Sequence, residues 1–312
     1  MSEFDVSIVI PTYNRPQLIT KALDSIEAQE TNYSYEVIVQ DNSSNELTKK
    51  LLEENSHKYT FKLFYEKNNE VLTPILNWKR AIERSSSENI KILWDDDWLE
   101  PNALQVYLTT LFENNADVVI SAAYLLSNKI KYKAYKTNEK NLTSSNVVNS
   151  ITELGKRLPL TPSCSVVKKD LILKAFEINS DLIKCNEKAM GLDFVINYIG
   201  CFINGYKVIK VNNFLVNLYR SEDSITVNSN KFTLLGCYVS SAYNLAKYYN
   251  FNFTSKQIKN IQTLSYLLNK LNLRCINYLP DPKFNFTYIV LLFKNRISQR
   301  LSMFLSVWLP KN

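Results

Sequence analysis

The sequence predicts an α/β protein with a mostly parallel central sheet flanked by helices and a helical C-terminal extension. Three observations predict it. Short, apolar, β-branched runs alternate with segments of helical period through roughly the first 115 residues. Such alternation is the pattern of strands joined by right-handed crossovers. After Asn228 the strand pattern stops and helical spacing runs to the end.

Val6–Pro11 (VSIVIP) is a run suited to a strand buried on both faces. Asn14 is placed to cap a helix with Pro16 in its first turn, and Leu18, Ile19, Ala22, Leu23 and Ile26 recur at helical spacing. Tyr35–Gln40 (YEVIVQ) is the second strand, followed by a polar turn at Asp41–Asn45 and a helix over Glu46–Glu54. Phe61–Tyr65 is the third strand and Pro74–Arg84 the next helix. Ile90–Trp94 is the fourth strand; it runs into Asp95-Asp96-Asp97, with Pro101 opening another helix. Asp117–Leu126 reads as a fifth strand, Ser127–Ser150 as a polar excursion, and Pro162–Val167 as a short strand. Glu187–Ile203 reads as a helix, and Tyr206–Asn212 and Phe214–Tyr219 as two further strands. A boundary near Ser221–Asn230 divides a domain over 1–225 from a basic helical region over 226–312.

Composition removes several chemistries. With 46% hydrophobic and 21% charged residues, the chain has the balance of a well-packed protein. The single histidine, His57, lies in a polar stretch, so Ser-His-Asp hydrolysis and histidine-rich metal sites are disfavoured. The five cysteines are widely spaced with no C-x-x-C, which points to reduced thiols rather than a zinc cage or disulfide framework. The earliest glycine is Gly155, so no P-loop or G-x-G-x-x-G turn exists before it. A nucleotide has to be held another way.

In an open parallel sheet, ligands bind beyond the carboxyl ends of the strands. Those ends carry Thr12-Tyr13-Asn14-Arg15, then Asp41-Asn42-Ser43, then Asp95-Asp96-Asp97. Adjacent carboxylates repel by about 1 kcal/mol at 4 Å even in water, and a divalent cation relieves this. Oxygen ligands without histidine point to Mg²⁺ or Mn²⁺. The competing reading is a solvated acidic turn before the next helix. Asp41 can likewise be an ordinary turn residue, or a carboxylate that accepts the imide N–H of a uracil while Tyr13 packs on the base.

The blocks VSIVIPTYNRPQLITKALDSI, YEVIVQDNSSNE, ILNWKRAIE and IKILWDDDWLEP resemble, in order and spacing, the inverting glycosyltransferases of family 2, which have the GT-A fold. The resemblance is close over about the first 115 residues and thins to signposts as far as Thr226. It implies that Pro11, Thr12, Tyr13 and Arg15 line a nucleotide pocket and that Asp41 reads the base. It also implies that the block's helix contributes Asn77 to the donor site, and that Asp95 and Asp96 meet the nucleotide sugar. Asp97 and Asp95 are favoured as the metal ligands. Where many members have an acid, this chain has Trp94, so the block reads W-D-D-D. The family's base is the aspartate of a Glu-Asp pair; here Leu192 replaces the glutamate and Asp193 takes the base position. A family segment that returns toward the diphosphate resembles YRSEDSIT, which leaves Arg220 as the phosphate contact in place of a histidine.

The activity so implied is transfer of a sugar from a nucleotide diphosphate, a UDP-sugar on the Asp41 argument, to a hydroxyl of a glycan or lipid-linked saccharide. Mn²⁺ or Mg²⁺ is the expected cofactor. A non-catalytic, nucleotide-binding subunit of the same fold is the rival. A nucleotidylyltransferase would need a glycine-rich N-terminal loop, and none exists.

Charge divides the chain. From Ser224 onward eleven Lys/Arg face one acid, Asp281, so the overall +7 leaves the first 223 residues at −3. Lys283–Lys311 carries five Lys/Arg and no acid, and no uncharged run in it is longer than that of Phe284–Phe293, which is too short to span a bilayer. Peripheral contact with an anionic membrane competes there with a helix packed on the catalytic domain. No nucleic-acid-binding module accompanies the basic tail. The N-terminus carries no signal-peptide pattern, so a cytoplasmic protein, peripheral at the inner membrane, is the expectation.

Overall fold

The computed structural model describes residues 2–127, 130–152, 158–182, 191–219, 231–269 and 283. Strands β1 (Val6–Thr12), β2 (Tyr35–Asp41), β3 (Lys62–Lys67) and β4 (Asn89–Ile92) form the parallel half of the sheet, in the order β3-β2-β1-β4. Helices α1 (Pro16–Glu27), α2 (Leu47–Asn55), α3 (Pro74–Arg84) and α4 (Ala103–Glu113) connect or follow them. All seven residues of β1 are buried, as its apolar run predicts. Alternate side chains feed two cores. Val6, Ile8 and Ile10 join α1 and α4 on one face, while Val9 joins α3 on the other. Edge strand β3 instead alternates exposed and half-buried residues.

The second half of the sheet departs from the expected pattern. β5 (Trp98–Leu99), β6 (Val118–Ser127), β7 (Ile130–Ala134), β8 (Ser165–Lys168) and β9 (Val208–Tyr219) extend it as β4-β8-β6-β9-β5, with β7 on the outer part of β6. β6 and β9 are parallel, but β4–β8, β6–β8, β6–β7 and β5–β9 are antiparallel. The polar excursion is therefore structured. Ile130–Ala134 is an edge strand, where lysines are tolerated on the open side, and Ser144–Thr152 is helix α5. The two strands expected over 206–219 are one strand, β9, whose pairing with β6 shifts register near Ala122. Helix α6 (Lys169–Leu182) was not anticipated. β4 ends at Ile92 rather than Trp94, although the Leu93 N–H still bonds the Val9 carbonyl at 2.9 Å.

Asn14 does not cap α1. Its φ is +54°, and its side-chain oxygen accepts from the Ser44 N–H at 3.1 Å and the Asn45 amide at 3.1 Å. It ties the loop after β1 to the loop after β2. Thr73 does cap α3, accepting from the Leu76 N–H.

The predicted helix over 187–203 is realised as α7 (Leu192–Tyr198) with a 3-10 extension, Ile199–Cys201; positions 187–190 lie outside the described residues. Helices α8 (Lys231–Tyr248) and α9 (Ser255–Asn269) follow, and α8 packs against α5, α6 and α7. Cys164, Cys201 and Cys237 are free thiols, and His57 lies exposed in a 3-10 turn. Among the described residues no helix is long and apolar enough to cross a membrane. The basic tail beyond Asn269, apart from Lys283, lies outside the described residues, as do Cys185 and Cys275.

Gly191 precedes α7 with φ +100°, and a Cβ there would sit 2.2 Å from Ser241 Oγ and 3.3 Å from the Cys237 carbonyl, both on α8. Left-handed backbone strain alone costs about 1–2 kcal/mol, and the clash adds to it. Gly191→Ala is expected to lower Tm by at least several degrees. A thermal melt with unchanged Tm would refute this close approach of α7 and α8.

Candidate active site

The carboxyl ends of β1, β2 and β4 converge as expected. Thr12 and Asp41 are register partners across β1 and β2. The Thr12 hydroxyl donates to Asp95 Oδ2 at 2.7 Å, and Arg15 donates to Asp95 Oδ1 at 3.0 Å while pairing with Asp96 Oδ2 at 3.4 Å. Asp95 also accepts the Tyr13 backbone N–H. Pro11 is buried within β1, and Tyr13 projects from the rim, 47% exposed. These residues form one connected cluster at the sheet edge.

Asp95 and Asp97 are 5% and 4% exposed, and Asp96 between them is half-buried. Burial pushes the Asp95 carboxyl up to about 6, against the opposing pull of Arg15. Burial also drives Asp97 well above the carboxylate range, reinforced by the charge of Asp96. Asp97 Oδ1 accepts the Tyr219 N–H at 3.1 Å, so the end of β9 is fastened to the acidic block, and the Ser163 hydroxyl is a second donor. Below lies Lys91, fully buried in β4, donating to the carbonyls of Ser163 and Ser165. Its ammonium is pushed down to about 7 by burial. A lysine inside an otherwise apolar strand was the signal that sequence reading passed over.

Asp41 is fully buried, with both oxygens engaged. Oδ1 accepts the Ser43 N–H at 2.8 Å, and Oδ2 accepts the Tyr65 hydroxyl at 2.8 Å. Each carboxylate oxygen retains a further lone pair for an incoming N–H. Asn77 sits just behind, in an amide network with Gln40, Asn42 and Asn68. Its oxygen accepts from Asn68 at 2.7 Å, and its amide donates to the Gln40 carbonyl at 3.4 Å. Asn42 in turn bonds both the N–H and the carbonyl of Leu72, at 2.8 and 2.9 Å. This network fixes the loop beside Asp41.

Trp94 stands at the first position of the W-D-D-D block. Its indole packs on Trp78 of α3 with ring centroids 4.5 Å apart, and its backbone N–H donates to Ser163 Oγ at 3.1 Å.

Asp193 opens α7. Its Oδ1 accepts the N–H groups of Gly191 and Phe194, each at 3.0 Å, and its Oδ2 accepts the Tyr238 hydroxyl of α8 at 2.9 Å. Burial outweighs these three donors and pushes the carboxyl up to about 6. α7 packs against the 3-10 turn Pro162–Cys164, whose Ser163 bonds Asp97. Tyr238 and Gly191 were missed from the sequence because their roles come from the packing of α8 on α7. Arg220 lies outside the described residues; its neighbour Tyr219 is the residue bonded to Asp97.

Among the described residues no group of three or more His, Cys, Asp or Glu side chains converges as a metal cage. What the rim offers is oxygen, from the Asp95–Asp97 carboxylates and the Thr12 hydroxyl. Mg²⁺ and Mn²⁺ accept one or two carboxylates when substrate phosphates supply the rest. The residues fit a cation shared with a diphosphate.

The sequence model of glycosyl transferase family 2 matches residues 7–176, more than half of the chain, including β1, β2, the acidic block and most of α6. The chain belongs to glycosyl transferase family 2. Curated relatives in the family include abequosyltransferase RfbV of Salmonella typhimurium, 29% identical over 116 residues, or 37% of this chain and 34% of that protein. The GalNAc(5)-diNAcBac-PP-undecaprenol beta-1,3-glucosyltransferase of Campylobacter jejuni is 32% identical over 114 residues, 36% of each chain. The matches thus span about a third of these relatives' length. Among solved structures, S. aureus TarS residues 1–349, crystallised with UDP-GlcNAc, superposes with a TM-score of 0.57. It shares 15% identity over 88% of this chain and 89% of that one. That likeness shows the fold, which is GT-A. The rim where β1, β2 and β4 end falls within the family match, whereas Asp193 on α7 lies beyond its last matched residue.

Proposed function

We propose that this family 2 glycosyltransferase moves a sugar, with inversion, from a nucleoside diphosphate donor to a hydroxyl of a glycan or lipid-linked saccharide. A UDP-sugar is the favoured donor. The observation that carries the reading is the convergence of Thr12, Arg15, Asp41 and Asp95–Asp97 on one sheet edge. S. aureus TarS, of the same fold, was crystallised with UDP-GlcNAc and with UDP, and the Campylobacter relative is named for an undecaprenol-linked acceptor; both support the direction of the assignment.

In this reading Asp41, held by Tyr65 and Ser43, accepts the imide N–H of uracil, with Tyr13 against the ring. Asp95 and Asp96, oriented by Arg15, meet the ribose and diphosphate side, and Asn77 keeps the Asp41 rim in place. Asp97 and Asp95 would hold Mn²⁺ or Mg²⁺, which supplies charge stabilisation to a departing diphosphate. Arg220 adds a positive contact for it. Asp193 takes the proton from the acceptor hydroxyl as that oxygen attacks the anomeric carbon. One displacement inverts the centre and requires no nucleophilic side chain.

The test is a donor-hydrolysis and transfer screen over UDP-, dTDP- and GDP-sugars, with Mn²⁺, Mg²⁺ or chelator. Turnover of a UDP-sugar only when a cation is present is expected. Asp41→Ala should raise KM for that donor about tenfold or more, corresponding to a lost hydrogen bond to a charged group, with kcat little changed. An Asp41→Ala enzyme with an unchanged KM for the UDP-sugar would remove Asp41 from base recognition.

A further inference from the structure

A second surface adjoins this site through Tyr219. The pairing register sets Lys133, Tyr124, Asn217 and Trp98 side by side across β7, β6, β9 and β5, and Lys131, Leu126 and Tyr219 in the next row. Aromatic rings form a strip along it, each capped by an ammonium group. Lys131 lies 3.7 Å from the Tyr124 ring centroid, and Lys133 and Lys136 lie 5.2 and 5.1 Å from that of Phe214. Phe214 itself stacks on Tyr124 at 4.9 Å. At the other end Lys21 sits 3.2 Å over Trp98, next to Tyr219.

All four lysines are exposed, and among the described residues neither Lys133 nor Lys136 forms an ion pair. Two ammonium groups over one phenylalanine repel each other; cation–π attraction offsets only part of this, and an external anion offsets more. Lysines also protect an edge strand from pairing with other chains. That role accounts for the lysines of β7 but not for the rings under them, nor for Lys21 on α1 capping the same strip.

We propose that this strip docks the enzyme on an anionic lipid surface. The ammonium groups lie over rings on β6, β9 and β5, about 10 Å across at the usual inter-strand spacing, and although Lys131 also pairs with Glu100 at 2.9 Å, this spread suits an array of headgroups better than one small anion. Half-buried Tyr and Phe beneath lysines match the chemistry of the membrane–water interface. The strip ends at Tyr219, whose N–H holds Asp97, so docking places the acidic rim beside the lipid surface. The proposal concerns a surface distinct from the basic C-terminal tail and does not depend on which sugar is transferred.

Co-sedimentation of the full chain with vesicles of phosphatidylcholine alone, and of equimolar phosphatidylcholine and phosphatidylglycerol, tests it. Binding to the anionic vesicles only, weakened by salt, is expected. Neutralising Lys133→Gln together with Lys136→Gln should lower the partition coefficient about 25-fold, roughly fivefold per lysine removed. The charge reversal Lys133→Glu with Lys136→Glu should lower it further. Donor hydrolysis without vesicles should stay unchanged in both variants, which also reports that they fold. Unaltered partitioning in both variants overturns the proposal. So does binding that survives them but vanishes on replacing Lys294, Arg296 and Arg300 of the tail. Binding to soluble polyphosphate without any preference for anionic vesicles overturns it as well.

Discussion

Asp193→Asn is expected to reduce transfer by roughly 10²–10⁴-fold, the range of a lost general base, while leaving nucleotide affinity within about twofold. The asparagine can still accept from Gly191 and Phe194 through its oxygen, so the start of α7 is preserved. What disappears is proton acceptance. The pH profile gives a second, independent readout. Burial raises the Asp193 carboxyl to about 6, and only the ionised form can act as base, so kcat/KM should climb through about pH 6 to a plateau above it. Tyr238 donates to the charged carboxylate and thereby opposes that rise. Removing the donor with Tyr238→Phe should move the acid limb to higher pH, costing most activity near pH 6 and little near pH 8. The groups packed around Asp193 that could confuse this are few: Tyr238 itself stays protonated, its own ionisation pushed well up by burial and by the neighbouring carboxylate. A Tyr238→Phe enzyme with an unshifted limb would assign that limb to another group, and Asp193 would lose its role as base.

The contrast between Asp193 and its supports shows how far sequence reaches. Asp41 and Asp95–Asp97 were legible because each follows a continuous apolar run, and a parallel strand buried on both faces dictates where its carboxyl end opens. The same locality made β1, β2, α1 and α3 readable to within a residue or two. Beyond Ala116 the pattern is set by pairing rather than by the run itself. IKYKA becomes strand β7 because β6 offers it an edge, and nothing in those five residues alone requires it. Asn14 had the composition of a helix cap, but contacts with Ser44 and Asn45 across the loops held it otherwise. Lys91, Ser163, Tyr219 and Tyr238 lie far apart in sequence. Their connection to the two carboxylate centres exists only once β8, β9 and α8 have packed.

Asp97→Asn should separate stability from function in the opposite direction to most active-site changes. The carboxyl is buried and its ionisation is pushed well upward, first by desolvation and then by the charge of Asp96. A carboxylate whose folded pKa exceeds its unfolded value binds more protons when folded, so it favours folding at low pH and loses that contribution as pH rises. At pH 7 without a divalent cation, Asp97 therefore burdens the fold, partly relieved by Lys91 and by the donors Ser163 and Tyr219. A neutral amide can still accept from Tyr219 and carries no desolvated charge. The variant is expected to melt a few degrees above the parent in chelator, while transfer falls by about 10³-fold, the several kcal/mol a metal-stabilised leaving group is worth. Adding Mn²⁺ with UDP should raise the parent's Tm by mass action and leave the variant's nearly unchanged. If Asp97→Asn instead melts lower than the parent and still responds to Mn²⁺ with UDP, the buried charge is a structural anchor for β9. The cation would then have to be held by Asp95 and the diphosphate alone. Stability purchased by deleting a charge, at the expense of turnover, is the signature expected of an acid retained for its ligand.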